Sequence, residues 1–322
     1  MKAVIAREYG PIENLDYGDW PDPIAEGRTV VIDAEAIGVN FPDGLLVQGL
    51  YQAKPQTPFI PGMEMAGRVS AVGPDVKRFK VGDRVVSFTS TGAYAEKIGV
   101  DEGQVIPLPD GVSGADACAL ICGYGTSHHA LKQRAQLEPG ETMVVLGAAG
   151  TTGLSAVQIG KVMGAKVIAV ASTPEKRAVA KAAGADIVLG YENLKDALKE
   201  ATGGKGVDVG YDPVGGDMFD VLARSMAWNG RLLVIGFTSG KIPQFPVNLA
   251  LVKGFSVVGV FWGTFTAKEP ELHAENMREL VGWQLAGKIK PVIEGTYPLS
   301  QASDVLRRIH DRAVAGKLIL AP

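Results

Sequence analysis

Cysteine is nearly absent: the 322 residues hold two, Cys118 and Cys122. Thiols four positions apart share a helix face, yet two of them cannot complete a tetrahedral zinc site. The expectation for both is a small, buried, apolar side chain. So little cysteine also excludes a disulfide-stapled fold and fits a reducing compartment. Basic excess is missing too, since the formal net charge is -3, whereas a nucleic-acid binder carries a basic face. No apolar run approaches the roughly 18 residues that a membrane span needs. At the start, Met1-Lys2-Ala3-Val4-Ile5-Ala6-Arg7-Glu8, charges interrupt any signal-like apolar core. The expectation is a cytoplasmic protein with neither nucleic-acid nor membrane partners.

What is present is enough apolar residue for two ordinary cores. The first ~115 residues are rich in Gly and Pro, with β-branched runs such as Thr29-Val30-Val31-Ile32 and Gly82-Asp83-Arg84-Val85-Val86 between turns. They read as a mainly β, barrel-like domain. After a helical stretch from Ala115 to Lys132, strand-like runs at 142–147, 166–171, 186–189, 207–211, 231–236 and 256–260 alternate with helical ones. Helices are expected near 152–163, 174–183, 193–201 and 216–227, with Gly164 and Gly184 as stops. That alternation implies a parallel, doubly wound sheet with helices on both faces. Two more helices are expected at Glu271–Ala286 and Gln301–Ala315 before the apolar Leu318-Ile319-Leu320. A closing segment of about 55 residues is too short to fold alone. The reading is therefore 1–120, 121–264, and 265–322 rejoining the first domain.

The richest stretch is Val144-Val145-Leu146-Gly147-Ala148-Ala149-Gly150-Thr151-Thr152-Gly153. A buried strand runs into a glycine turn and a helix follows at once. Glycines permit close backbone approach to a pyrophosphate, and the helix start offers free N–H groups. Ala148 replaces the first Gly of the usual G-x-G-x-x-G pattern, so the surrounding strand, helix and second strand carry the assignment. Gly147, Ala149, Gly150, Thr151, Thr152 and Gly153 are the candidate cofactor contacts.

The second strand's end selects the cofactor. An acid there binds the ribose 2′-hydroxyl of NAD, but the position is Ala171, followed by Ser172-Thr173-Pro174-Glu175-Lys176-Arg177. Ser172 and Thr173 can hydrogen-bond a phosphate, and Lys176 and Arg177 can neutralise it. NADPH is the expected cofactor. Gly236 and Phe237, closing another strand, lie where ligands meet an open sheet.

Ala36-Ile37-Gly38-Val39-Asn40-Phe41-Pro42-Asp43, Gly49-Leu50-Tyr51, Pro61-Gly62-Met63-Glu64-Met65-Ala66-Gly67, Val81-Gly82-Asp83-Arg84-Val85 and the glycine turn together give a specific pattern. In this order the chain resembles the medium-chain dehydrogenase/reductase superfamily, in its zinc-free quinone oxidoreductase (zeta-crystallin-like) branch. The resemblance implies an α/β protein: a Rossmann doubly wound parallel sheet plus a GroES-like β-barrel domain that the C-terminal segment completes. Asn40 stands where zinc-dependent relatives have a Cys, and Met63 replaces their His. Cys122 falls near their remaining Cys. One soft ligand holds no zinc, so the resemblance implies a metal-free enzyme that cannot oxidise alcohols by Lewis-acid chemistry. Hydride transfer to a quinone or a conjugated enone remains open to it.

By the same resemblance, Asn40, Asp43 and Tyr51 face the nicotinamide. Asn40 would donate to a substrate oxygen and Tyr51 would stabilise an oxyanion or deliver a proton. Alternatives are a rim aromatic for Tyr51 and a turn or capping role for Asp43. Thr126 would approach the nicotinamide, Tyr191 the adenosine phosphate and Lys317 the pyrophosphate. His128 and His129 depart from the branch's aromatic pair and are expected to be structural, while His273 and His310 read as surface residues. The apolar Ser256–Trp262 run is expected at a sheet edge, where a homodimer would form. An enone or acryloyl-thioester reductase and a non-catalytic NADPH-binding protein are the rival readings.

Overall fold

The computed structural model describes all residues from Met1 to Pro322. The chain divides into two compact units: Met1–Cys122 with Ile293–Pro322, and Gly123–Val292.

The first unit opens with β1 (Lys2–Ile5) and β2 (Asp16–Asp19), an antiparallel pair, then the long β3 (Thr29–Val39) and α1 (Phe41–Val47). β4 (Glu64–Val72), β5 (Arg84–Phe88), β6 (Lys97–Asp101) and β7 (Val105–Pro107) follow, and α2 (Gly114–Cys118) starts at Ser113, whose Oγ accepts the Asp116 N–H. β3 pairs antiparallel with both β4 and β6. Its Val30, Ile32, Ile37 and Val39 are buried in one apolar core with Met65, Val69 and Val85. Register matters here, because β3 sets Gly38 opposite Glu64. A Cβ at position 38 would overlap Glu64 Oε1, so only glycine leaves room for that carboxylate.

The helical path runs on from Ala119 to Tyr124 with wide π-type spacing, into α3 (Gly125–His129) of the second unit, and widens again over Ala130–Arg134. Six parallel strands and seven more helices follow in chain order: β8 (Thr142–Val145), α4 (Thr151–Val162), β9 (Lys166–Val170), α5 (Pro174–Ala182), β10 (Ile187–Leu189), α6 (Leu194–Ala201), β11 (Val207–Asp212), α7 (Asp217–Ser225), β12 (Met226–Val234), α8 (Asn248–Lys253), β13 (Ser256–Gly259), α9 (Trp262–Lys268) and α10 (Pro270–Leu285). The sheet order β10-β9-β8-β11-β12-β13 is the Rossmann order, which reverses between β8 and β11. Gly164 and Gly184 end α4 and α5 with left-handed backbone, as expected. β13 lies at the sheet edge.

The chain then returns through β14 (Ile293–Pro298), α11 (Ala302–His310) and β15 (Lys317–Ala321), and β15 pairs antiparallel with β3. The return therefore begins at Ile293 and not at residue 265. The reason lies in α9 and α10, which pack on the helix of α3. His129 stacks on Phe265, His128 bonds to Glu279 at 2.9 Å, and Gln133 bonds to Asn276 at 2.9 Å. The helix expected over 301–315 also stops early, at His310, two residues before the left-handed Arg312.

Candidate active site

At the switch point of the second unit, β8 runs into Gly147, whose positive φ of 58° turns the chain toward α4. Gly150 is the N-cap of α4, and Thr151 and Thr152 form its first turn. A Cβ on Gly153 would overlap the carbonyl oxygen of Gly147, so glycine at 153 is what lets helix and turn close on each other. The first turn of a 12-residue helix thus sits at the carboxyl end of the sheet, with Ala149 buried beneath it. Tyr191 backs the turn, its phenol oxygen accepting the Gly147 N–H at 3.0 Å.

Beyond β9, Ala171 is buried and Ser172 and Thr173 are exposed. Thr173 caps α5 by accepting the Lys176 N–H at 3.3 Å. Arg177 turns back over the strand end, and its Nη1 donates to the carbonyls of Ala171 and Ser172 at 3.3 and 3.4 Å. The carboxylates of Glu175 and Glu192 also lie near that guanidinium. Two hydroxyls and a pre-placed fork of donors nonetheless stand where an acid would reject a phosphate.

Thr126 lies on α3 and is half-buried; its neighbour Ser127 bonds to Ser155 and Tyr211, each at 2.8 Å, and ties α3 to α4 and β11. Gly236 and Phe237 follow β12 at the same edge of the sheet as the glycine turn. The histidines form a packing cluster. Burial lowers His128 to about 4 despite its Glu279 partner, and lowers His273 to about 4 as well. His273 lies edge-on against Trp262 and Phe265, and His310 in the first unit stacks on Phe41. Both are half-buried where the sequence suggests surface residues, because aromatic rings pack against them.

The first unit holds a second polar cluster, enclosed in its interior. Asn40 precedes α1, and Asp43 Oδ2 accepts both its backbone N–H and the Tyr94 hydroxyl, each at 2.8 Å. Asp43 is fully buried, which pushes its carboxyl up to about 7 against those two hydrogen bonds. Asp43 thus closes the capping box of α1, whose N-cap is Asn40, and the cleft-facing role carried over from the resemblance does not describe its buried position. Because β15 pairs Leu318 with Val39, Lys317 falls beside Asn40. Its Nζ donates to Asn40 Oδ1 at 2.8 Å and forms an ion pair with Glu64, with the two side chains 1% and 0% exposed. Burial opposes the charge on Lys317, but Glu64 holds its pKa above the ordinary value. Lys317 is consequently not a surface cation at a pyrophosphate: its ammonium is enclosed and spent on Glu64 and Asn40. Asn40 also turns inward and is 8% exposed. Its Nδ2 lies near the Glu64 carboxylate, yet no acceptor meets it in hydrogen-bonding geometry.

Tyr51 remains half-buried over the cluster of Ala6, Leu46, Phe59 and Met63. Burial, with Cys122 and Asp43 nearby, raises its phenol pKa, so it keeps its proton at neutral pH. Sequence reasoning missed Glu64 and Tyr94 as members of this cluster; both sit inside apolar strand patterns that read as core. Cys118 is buried, with Sγ against the Ala36 carbonyl, while Cys122 is half-buried.

Residues 26–110 match the model of the alcohol dehydrogenase GroES-like domain, and residues 151–278 that of the zinc-binding dehydrogenases. Quinone oxidoreductase of Pseudomonas aeruginosa is 35% identical over 325 residues, spanning 100% of this chain and 99% of that protein. The chain belongs to the medium-chain dehydrogenase/reductase superfamily, in its quinone oxidoreductase branch. Within it, quinone oxidoreductase-like protein 2 of Rattus norvegicus is 38% identical over 304 residues, covering 94% of this chain and 87% of that one. The native structure of a mycobacterial protein complexed with NADPH superposes with a TM-score of 0.95 at 33% identity, covering both chains fully. Zinc is named in one of the matching family models, but nowhere do three His, Cys, Asp or Glu side chains converge to hold a metal ion. Met63 packs its thioether among apolar side chains. The residues present do not fit a zinc site.

Proposed function

We propose that this oxidoreductase uses NADPH to reduce quinones, or related electron-poor carbonyl-conjugated acceptors, without a metal ion. The carrying observation is the ammonium of Lys317 on Asn40 Oδ1. Asn40 stands where a zinc-dependent relative has a ligand, and its amide oxygen is already held by an ammonium that Glu64 neutralises, which leaves no free acceptor there for a dication. Without a Lewis acid, the favoured substrate is one whose π-system already accepts hydride.

Bound NADPH supplies the hydride. The turn from Gly147 to Gly153 and the start of α4 would hold its pyrophosphate, with Ala149, Gly150, Thr151 and Thr152 presenting backbone and hydroxyl donors. Ser172, Thr173, Lys176 and Arg177 would hold the 2′-phosphate, and Tyr191 steadies the turn through Gly147. The chemistry of these donors fits a phosphorylated ribose and disfavours the bare diol of NADH. Thr126, Gly236 and Phe237 would line the nicotinamide side. Tyr51, which keeps its proton at neutral pH, would deliver it to the oxyanion that forms. By the family resemblance, the Asn40 amide would donate to the acceptor's oxygen. Asp43 serves as the cap that orients Asn40.

The test is to mix the purified protein with NADPH and a panel of quinones, enones and acryloyl thioesters, following cofactor absorbance. Quinone-dependent oxidation is the expected result. Oxidation by enones or thioesters alone moves the activity to the alkene-reductase side, and binding without turnover against any acceptor would refute catalysis. We also propose a homodimer formed along β13, whose Val257 is exposed at the sheet edge with Trp228 and Leu251 exposed nearby in the same unit. A monomeric mass by sedimentation at micromolar concentration would refute it. The two free thiols fit a reducing, cytoplasmic setting.

A further inference from the structure

Two acids stand at the strand end assigned to the 2′-phosphate, and cofactor binding as proposed has no use for either. Register brings them there. β9 and β10 run parallel with Val170 opposite Leu189, and the Ala171 N–H donates to the Leu189 carbonyl at 3.1 Å. Ser172-Thr173 and Gly190-Tyr191-Glu192 therefore leave neighbouring strands side by side. Gly190 has no side chain, and the Glu192 carboxylate takes the space: a Cβ at position 190 would overlap Glu192 Oε2 and crowd Nη1 of Arg177. Glu175, in the first turn of α5, adds a second carboxylate near that guanidinium. It accepts its own backbone N–H and the Thr173 hydroxyl, and these bonds, with the charge of Arg177, hold its pKa below the ordinary value.

A phosphate entering here meets donors already in use. Nη1 of Arg177 is spent on the Ala171 and Ser172 carbonyls, which leaves Nη2 and Nε for an anion. The Thr173 hydroxyl is given to Glu175. A phosphate dianion must take that hydroxyl from a carboxylate and share the guanidinium with two, and like charges held this close oppose it. The neutral 2′-hydroxyl of NADH meets no such opposition. Charges built against one ligand are a means of setting discrimination between two.

We propose that Glu175 and Glu192 are specificity-determining residues, acting as built-in counter-anions of the 2′-phosphate site that hold its preference for NADPH below what Ser172, Thr173, Lys176 and Arg177 would give alone. The inference rests on the reading of this strand end as the 2′-phosphate site. Its use lies in turnover: donors that return to resident carboxylates let the oxidised cofactor leave after each hydride transfer.

Calorimetry with NADPH and with NADH on the full chain tests it. Both glutamates are exposed, so removing their charge leaves the core untouched. Glu175→Gln and Glu192→Gln are each expected to tighten NADPH about threefold, and the double variant about tenfold, with NADH unchanged within about twofold. Damage to the fold does not produce a gain in affinity. In an Arg177→Ala background, Glu192→Gln should gain less than about twofold, because the group it competes for is gone. Glu271→Gln removes an exposed charge from α10 and should alter neither cofactor.

Unchanged or weaker NADPH binding in the double variant would overturn the inference and leave the 2′-phosphate reading standing. Equal tightening of NADH, the same gain from Glu271→Gln, or a full gain without Arg177 would overturn it too. If Arg177→Ala alone leaves NADPH affinity unchanged, the 2′-phosphate reading itself fails and takes the inference with it.

Discussion

The two units handle polar groups in opposite ways. In the second, the proposed ligand-binding features are backbone and surface: a glycine turn, the start of α4, and the exposed Ser172 and Thr173. Its buried His128 and half-buried His273 are pushed to about 4 and stay neutral, while burial raises the carboxyl of Asp212. In the first unit the polar groups are enclosed, and two of them, Glu64 and Lys317, face each other as charges in the core. A site made of backbone tolerates many side chains around it but no added Cβ. A site made of buried charges tolerates paired replacement but no single loss.

The largest expected effect follows from that contrast. Lys317→Met alone strands the Glu64 charge, and should cost about 3–5 kcal/mol of stability in the first unit, read by denaturant unfolding. A loss below about 1 kcal/mol would mean the core is wetter than described. In the second unit, Gly153→Val sets a side chain against the Gly147 carbonyl. NADPH affinity measured by calorimetry should fall on the order of a hundredfold, and unchanged binding would place the cofactor elsewhere. Arg177→Ala, acting on a side chain that donates to two backbone carbonyls at the strand end, should weaken NADPH binding about tenfold and leave NADH unaffected. Equal losses for both cofactors would remove its role at the 2′-phosphate. Ala171→Asp should erode the same preference from the strand side.

The smallest effect sharpens the comparison most. The carboxyl of Asp43 is raised to about 7, so the folded first unit holds a proton that the unfolded chain releases near 4. Its contribution to stability is full below about 4 and is lost as pH rises to about 7. His128 and His273 are lowered to about 4. Their contribution is full above the unfolded value of about 6.5 and is lost as pH falls toward 4. Hydrogen exchange between pH 5 and 7 should therefore show slopes of opposite sign around Asp43 and around His128. Asp43→Asn should flatten the first alone. Parallel slopes would contradict the assignment of burial to these groups.

The second unit was the more legible in sequence. Its strand and helix alternation, the glycine turn, and the stops at Gly164 and Gly184 all follow from local rules that act within a few residues. The polar cluster of the first unit was not legible, because its members are brought together by register. Lys317 looks like a turn cation after Gly316, and only the β15–β3 pairing carries it to Asn40 and Glu64. The boundary at Ile293 was hidden for a related reason: the apolar face of α10 shows that it packs, and only contacts such as His128–Glu279 show on what. Neither ring of His273 and His310 looks buried until its aromatic neighbours are placed.

Metal analysis combined with turnover tests the central claim most directly. The purified protein, dialysed against a strong chelator, is assayed for NADPH oxidation by a quinone while its zinc content is measured. Full activity with no stoichiometric metal is the result expected of a site in which the ammonium of Lys317 already occupies the Asn40 amide oxygen. Activity that disappears with the chelator and returns with zinc would contradict it.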